Sequence, residues 1–220
     1  MFSLTKNIKN SSVNVVYKKA SSFVALSGIT ENSIQFDRVR DLRSKLTNGS
    51  SKEAKLVAKA CDDLLNPERR KSPKFELKPF VLEEMQRLNN DELFRYLYYR
   101  YRYDIYPSTQ QLDAFPPCVQ IEPTSICNYR CVFCYQTDPN LTQGRHGHMG
   151  MMDLNVFKLI IDQIENRVEA VTLASRGEPL MAKDIITMLE YLSGKFLGLK
   201  LNTNASFLIS IADRFKCYQL

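Results

Sequence analysis

Three of the chain's six cysteines lie close together, in the segment Cys127-Asn-Tyr-Arg-Cys131-Val-Phe-Cys134. Three thiolates on one loop can converge on a soft metal centre, because a loop lets all three sulfur atoms face the same point. A structural zinc site normally uses four ligands, whereas an iron–sulfur cube held by three cysteines leaves one iron without a protein ligand. Such an iron can bind a small molecule, so the spacing favours a functional metal centre.

A zinc site is the main alternative interpretation of these cysteines. His146 and His148 follow Cys134 closely in the sequence, and either could supply the fourth zinc ligand. Metal analysis separates the two, because iron with acid-labile sulfide indicates a cluster and stoichiometric zinc indicates the alternative. The remaining cysteines are scattered, and we assign no ligand role to them: Cys61, Cys118 and Cys217.

The second half of the chain alternates between predicted strands and predicted helices. Strands are predicted over residues 118–122, 168–174 and 197–204. Helices are predicted after the N-cap Asp153, on the face marked by Ile185 and Leu192, and from Ile209 onward. This order predicts parallel strands with right-handed crossovers, so functional groups should collect at the carboxyl ends of the strands.

Several motifs at these predicted strand ends resemble the radical S-adenosylmethionine (radical SAM) superfamily. Ile121-Glu-Pro-Thr-Ser-Ile-Cys127 and the rest of the cysteine segment are similar to its cysteine signature. Ser175-Arg-Gly-Glu-Pro-Leu180 is similar to its GEP element, Leu201-Asn-Thr-Asn-Ala205 to its TNG segment, and His148-Met-Gly-Met-Met-Asp153 to its entry into the first helix. The resemblance covers residues 116 to about 208. It is greatest to the branch that often carries a C-terminal SPASM region.

The resemblance implies a cofactor set and the residues that hold it. Cys127, Cys131 and Cys134 would ligate a 4Fe-4S cluster whose open iron binds S-adenosylmethionine. Reductive cleavage would give a 5′-deoxyadenosyl radical that takes hydrogen from an unidentified peptide, protein or small metabolite. The electron donor would be a flavodoxin or a ferredoxin, and no catalytic side chain is assigned. The residues that would contact S-adenosylmethionine are Phe133 against the adenine, Tyr135 through its backbone, Gly177 and Glu178 near the methionine amino group, and Thr203 and Asn204.

Two positions depart from the motifs of the family. Arg176 occupies the place where many members have the first glycine of a GGEP element, and Ala205 replaces the glycine of TNG. The alanine costs backbone freedom at that position. Neither departure affects a predicted cluster ligand.

The implied fold is α/β, the N-terminal half of a partial (β/α)6 TIM-like barrel preceded by a mostly helical extension. We predict two domains, the extension over residues 1–115 and the radical SAM domain over residues 116–220. A βα unit needs roughly 30 residues, so the second domain has room for three units instead of six. We therefore expect the chain to be the front part of a longer protein or a truncated, inactive product that still binds the cluster.

The extension is predicted to be basic and helical. Residues 1–115 carry the whole formal net charge of +6, and helices are predicted over residues 37–47, 51–65 and 91–103, the last one capped by Asn90. Tyrosines and arginines alternate in the third helix, where we favour an amphipathic helix over nucleic-acid binding. The sequence has no apolar run of the roughly 20 residues that cross a bilayer and no signal peptide, so we expect a cytoplasmic protein without membrane contact.

Overall fold

The computed structural model describes residues 33–46, 51–66, 74–76, 78–143 and 147–209. Contacts between residues divide the chain into two compact units, Met1–Leu93 and Phe94–Leu220. His146, Cys217 and the helix predicted from Ile209 onward lie wholly or largely outside the described residues. No helix in the described part of the chain is long and apolar enough to cross a membrane.

The described part of the first unit contains three helices, α1 (Ser33–Lys45), α2 (Lys52–Leu65) and α3 (Pro79–Arg87). The structure confirms the two helices predicted for this region. The Oγ of Ser51 accepts a hydrogen bond from Ala54 N, which caps α2. α3 was not predicted, and its N-cap, Lys78, makes no capping hydrogen bond through its side chain.

The side chain of Arg38 connects α1 to the end of α3. Its guanidinium donates to the carbonyl oxygens of Met85 (2.9 Å) and Leu88 (2.8 Å) and to Asn90 Oδ1 (2.9 Å). The last carbonyls of a helix have no partner within the helix, so an arginine in this position stabilises the helix end. The buried apolar residues of α1, α2 and α3 include Val39, Val57, Val81 and Met85.

The tyrosine-rich helix, α4 (Asn90–Thr109), begins in the first unit and continues into the second. The predicted cap is wrong by one position. Asn89 Oδ1 accepts from Glu92 N, while the Glu92 carboxylate accepts from Asn89 N, and this reciprocal pair is a capping box. The helix also extends past the predicted end at Tyr103. Pro107 lies in the last turn, two residues before the helix ends, so the hydrogen bond that its missing N–H removes lies at the end of the helix.

Two arginines of α4 in the second unit, Arg100 and Arg102, are buried and paired. Arg100 contacts Asp104 (2.9 Å), and Arg102 lies 3.1 Å from both Asp113 and Glu169. Arg102 also stands over the Tyr98 ring. Burial raises the pKa of Glu169 above its ordinary value, although the charge of Arg102 opposes this. These guanidinium groups are therefore engaged inside the second unit.

The second unit contains a three-stranded parallel sheet in the order β1 (Cys118–Ile121), β2 (Ala170–Leu173) and β3 (Gly198–Leu201). Between the first two strands lie α5 (Pro139–Thr142) and α6 (Leu154–Ile164), and α7 (Ile185–Leu192) connects the second to the third. Asp153 caps α6 as predicted, with Oδ1 accepting from Asn155 N and Val156 N. The helix–strand mixture with this small parallel sheet is consistent with the predicted α/β class.

Apolar side chains of α6 and α7 cover the sheet. One continuous core joins the two helices, the strands and the turn after β2, and β2 is the most deeply buried strand. A central parallel strand is buried on both faces, which explains its run of Ala, Val and Leu. The core residues are Ile121, Phe157, Ile161, Val171, Leu173, Leu180, Ala182, Ile185, Met188, Leu189 and Leu192.

Candidate functional site

The three motif segments of the sequence leave the same edge of the sheet. The cysteine segment follows β1, the segment 174–178 follows β2, and the segment 202–206 follows β3. Because the strands are parallel and in register, their carboxyl ends stand side by side. The sheet therefore brings these segments together as predicted.

The cysteine segment begins from a firmly held base. Thr124 and Ser125 are almost fully buried, and they bond to the chain just before α6. Ser125 N and Thr124 Oγ1 each donate to Gly150 O at 3.0 Å, while Gly150 N donates to Ser125 Oγ at 2.8 Å. Met152 N adds a bond of 2.8 Å to Pro123 O. Hydrogen bonds among five residues of these two segments thus fix the start of the cysteine loop.

The three cysteines carry free, partly exposed thiols. Cys134 N donates to Cys131 O at 2.8 Å, which closes a turn between these two residues. The sulfur of Cys127 accepts hydrogen bonds from Tyr129 N at 3.4 Å and from Asn204 Nδ2 at 3.8 Å. Within the ranges that the structure describes, no three Cys, His, Asp or Glu side chains are arranged to hold a metal ion.

The donor chemistry of this loop fits an iron–sulfur cluster, although the three sulfurs are not gathered around one point. Soft thiolates are the ligands that such clusters use, and none of the three is used in a disulfide. Two N–H groups donate to Cys127 Sγ, as N–H groups do to the sulfurs of bound clusters. His148, the zinc ligand of the alternative interpretation, is exposed and belongs to no metal-binding group in the described chain.

Gly177 lies directly against the base of the cysteine loop. A β-carbon at this position would lie 2.7 Å from Ile126 O and would overlap Thr124 O. The neighbouring Glu178 N donates to Ile126 O at 2.9 Å. Only glycine therefore allows the segment after β2 to approach the cysteine loop this closely.

Glu178 is a buried carboxylate that joins the second segment to the third. Its side chain is 2% exposed, and Oε1 accepts from Leu180 N (3.1 Å) and Thr203 Oγ1 (2.5 Å). Oε2 accepts from Asn204 N at 2.6 Å. Burying a carboxylate is costly unless it is hydrogen-bonded, and these three donors meet that need. The carboxylate therefore holds the chain at the end of β3.

The third segment is a tight turn beginning at Thr203. Thr203 Oγ1 accepts from Ala205 N at 2.9 Å, and Asn204 Oδ1 accepts from Ser206 N at 2.9 Å. Ala205 has a φ of 64°, which explains why the resembling motif has glycine at this position. An alanine in this conformation costs roughly 1 kcal/mol relative to glycine. The hydrogen bonds around it hold the turn in place nevertheless.

The first and second segments are also joined by an ion pair that includes the unusual Arg176. Its guanidinium binds Glu122 in a bidentate way, with the shortest contact at 2.8 Å, and its backbone N–H donates to the same carboxylate at 2.9 Å. The guanidinium also stands 5.9 Å from the centre of the Tyr135 ring. Arg176, which stands where many members of the resembling family have glycine, thus links the ends of β1 and β2.

This ion pair predicts a pH dependence of stability. Burial by itself raises the pKa of Glu122, but the hydrogen bonds and charge of Arg176 outweigh it and leave the pKa below its ordinary value. A carboxyl whose pKa is lowered on folding stabilises the fold above its unfolded pKa of about 4.3. That stabilisation is lost as the pH falls through the lowered value of the folded state.

We expect Glu122→Gln to lower the free energy of unfolding by about 1 kcal/mol at pH 7, since the pair is partly exposed to solvent. The difference from wild type should shrink below the unfolded pKa of about 4.3 and vanish once the pH has fallen through the lowered pKa of the folded state. Urea titrations monitored by circular dichroism over this range measure it. Asp184→Asn is the matched control, because Asp184 stands at the N-cap of α7 without a side-chain capping bond. A difference that is independent of pH would contradict the ion-pair assignment.

Gln136 is a buried residue of the site that the sequence did not indicate. Gln136 is 1% exposed, and its Nε2 donates to Ser125 O (2.8 Å) and to Arg176 O (3.2 Å), so it joins the first two segments. The neighbouring Tyr135 donates to the same Ser125 carbonyl at 3.4 Å. A glutamine after a cysteine motif reads as a surface residue, and no sequence signal indicates its burial.

Phe133, the predicted contact for adenine, is 90% exposed at the tip of the cysteine loop. Val132 beside it is 93% exposed. Exposed apolar side chains that lie side by side can form part of an interaction surface. The structure thus leaves Phe133 accessible, and its contact with adenine stays a prediction.

The comparison with known families agrees with the arrangement at the sheet edge. The model of the radical SAM superfamily matches residues 121–218. No curated protein and no solved structure matches the chain significantly. The match confirms the resemblance at the level of the superfamily. Residues 121–218 therefore resemble a radical SAM domain, the kind of domain that occurs in iron–sulfur enzymes acting on S-adenosylmethionine.

Proposed function

We propose that this chain binds a 4Fe-4S cluster through Cys127, Cys131 and Cys134 and cleaves S-adenosylmethionine reductively. The observation that carries the proposal is the meeting of three motif segments at one sheet edge, joined by hydrogen bonds of Glu178 and Asn204. When bound, the cluster supplies the electron that splits S-adenosylmethionine into methionine and a 5′-deoxyadenosyl radical, which takes hydrogen from a substrate.

The described residues divide into those that bind and those that position. Cys127, Cys131 and Cys134 are the proposed ligands, and the exposed Phe133 is the proposed contact for the adenine ring. Glu178 has its carboxylate occupied by three donors within the protein, which supports a positioning role toward Thr203 and Asn204. Gly177 allows the second segment to reach the cysteine loop.

The same proposal includes a partial barrel that begins with the three βα units and a relation to the SPASM branch. It also includes two domains, residues 1–115 and residues 116–220. We also propose a cytoplasmic enzyme that receives electrons from a flavodoxin or a ferredoxin. Its substrate is a peptide, a protein or a small metabolite.

Anaerobic reconstitution of the full chain with iron and sulfide tests the proposal. We expect acid-labile sulfide and iron in a ratio near that of a 4Fe-4S cluster. After addition of a strong reductant and S-adenosylmethionine, we expect 5′-deoxyadenosine. Stoichiometric zinc without sulfide would favour a zinc-binding module instead. A cluster without any 5′-deoxyadenosine would show a cluster-binding protein that lacks the cleavage activity.

A further inference from the structure

The side chain of Asn204 is held in one orientation by a closed ring of hydrogen bonds. Asn204 Nδ2 donates to Asn128 Oδ1 at 3.0 Å, and Asn128 Nδ2 donates to Ser206 Oγ at 3.0 Å. Ser206 Oγ completes the ring by donating to Asn204 Oδ1 at 2.6 Å, and Ser206 N donates to the same oxygen. Both amides are therefore fixed, because each oxygen faces a donor and each nitrogen faces an acceptor.

This ring directs an N–H group of Asn204 at the proposed ligand sulfur. With Oδ1 engaged by Ser206, the amide nitrogen faces Cys127 Sγ at 3.8 Å. Tyr129 N supplies a second N–H to the same sulfur. In the described part of the chain, the hydrogen bonds to the sulfurs of the three site cysteines number two. Both have Cys127 Sγ as the acceptor.

The backbone of Asn204 is held from the opposite direction by Glu178. Asn204 N donates to Glu178 Oε2 at 2.6 Å, while Thr203 donates to Oε1. The Glu178 side chain is almost fully buried, so water does not compete for these hydrogen bonds. The chain from Glu178 through Asn204 to Cys127 thus spans the ends of all three strands.

We propose that Asn204 tunes the reduction potential of the cluster bound at Cys127, with Glu178 as the residue that positions it. This inference rests on the proposed function. Reduction adds negative charge to a cluster and its sulfurs, and an N–H donor stabilises that charge. A donor at Cys127 Sγ therefore raises the potential and makes reduction easier, and removing it lowers the potential.

A redox titration of the reconstituted full chain, followed by electron paramagnetic resonance without S-adenosylmethionine, tests this role. Asn204→Ala should keep the iron and sulfide content of the wild type. At a fixed potential its ratio of reduced to oxidised cluster should fall two- to tenfold, a shift of up to about 59 mV for a one-electron couple. Asn204→Asp, which keeps the size of the side chain but has no donor, should shift the potential in the same direction.

Asn155→Ala is the matched control, because it removes an exposed asparagine side chain from α6. Its potential should equal that of the wild type. Glu178→Gln also removes a buried negative charge, so its positioning role is tested by adding Asn204→Ala to it: this addition should lower the potential by less than Asn204→Ala lowers that of the wild type. Wild-type potentials in both Asn204 variants, or loss of the cluster from both, would overturn the role of Asn204. A wild-type chain that assembles no cluster would instead overturn the proposed function.

Discussion

Gly177→Ala should destabilise the second unit by about 3 kcal/mol and displace the cysteine loop. A methyl group usually costs 1–3 kcal/mol when it overpacks a well-packed site. Here its neighbours are the carbonyl groups of Thr124 and Ile126, which are backbone atoms and cannot rotate away. The cost should therefore lie at the upper end of the range.

The same substitution should also impair cluster assembly. The carbonyl of Ile126, beside the proposed ligand Cys127, accepts the N–H of Glu178. Moving the backbone to admit a methyl group breaks this bond and separates the first two segments. We expect less iron and sulfide after reconstitution, together with a lower midpoint of urea unfolding followed by circular dichroism.

Gly150→Ala is the matched control for Gly177→Ala. Gly150 is bonded to the same segment, through Thr124 and Ser125, yet a β-carbon at position 150 meets nothing within 4 Å. It should change the free energy of unfolding by less than about 0.5 kcal/mol. A Gly177→Ala protein as stable as the Gly150→Ala protein would show that the close approach of the two segments is wrong.

Local periodicity allowed much of the second unit to be predicted. Leu154, Phe157, Ile161 and Ile164 share the face of α6 that packs on the sheet, and Asp153 caps the helix as expected. The alternation of strand and helix correctly indicated parallel strands, because parallel strands need crossovers of this length. The spacing of apolar residues along single helices and strands was therefore sufficient to predict most of these features.

The ends of α4 show where local signals mislead. Asn89 and Asn90 are both good capping residues. The reciprocal hydrogen bonds between Asn89 and Glu92 identify Asn89 as the cap. Pro107 indicates a helix end, but a proline in the last turn removes a bond that lies at the margin of the helix. The buried contacts of the same helix with Glu169 come from a distant part of the sequence and could not be inferred from it.

The role of Glu178 depended on contacts that no local pattern indicates. In the sequence it is one residue of a GEP element, and the resemblance placed it near the methionine amino group. Its three donors come from Leu180, Thr203 and Asn204, and two of them follow a different strand. A sequence motif identifies a residue type at a position, whereas its partners across the sheet edge appear only in the folded chain.

Cys131→Ala should abolish cluster binding while leaving the fold intact. A cluster held by three cysteines has no spare protein ligand, so the loss of one thiolate removes a third of its attachment. Changes to residues that merely support metal ligands already cost about 10- to 100-fold in metal affinity. Loss of a ligand should therefore reduce bound iron and sulfide at least tenfold. The brown colour and the release of 5′-deoxyadenosine should fall by the same factor.

The fold should survive this change because the bond that Cys131 makes to the loop belongs to its backbone. Its carbonyl accepts from Cys134 N at 2.8 Å, and alanine keeps that carbonyl. The circular dichroism spectrum should match that of the wild type. The free energy of unfolding from urea titration should agree with the wild type to within about 0.5 kcal/mol. These two measurements separate the loss of a ligand from a failure to fold.

Cys118→Ala is the matched control, since it removes a free thiol at the opposite end of β1. Cys118 is the first residue of the strand, and its sulfur lies 3.8 Å from Thr172 Oγ1 within the sheet. This variant should take up iron and sulfide as the wild type does. If Cys131→Ala still assembled a full complement of iron and sulfide, the ligand set of Cys127, Cys131 and Cys134 would be wrong. Equal losses in the two cysteine variants would instead indicate a general sensitivity of the fold to thiol removal.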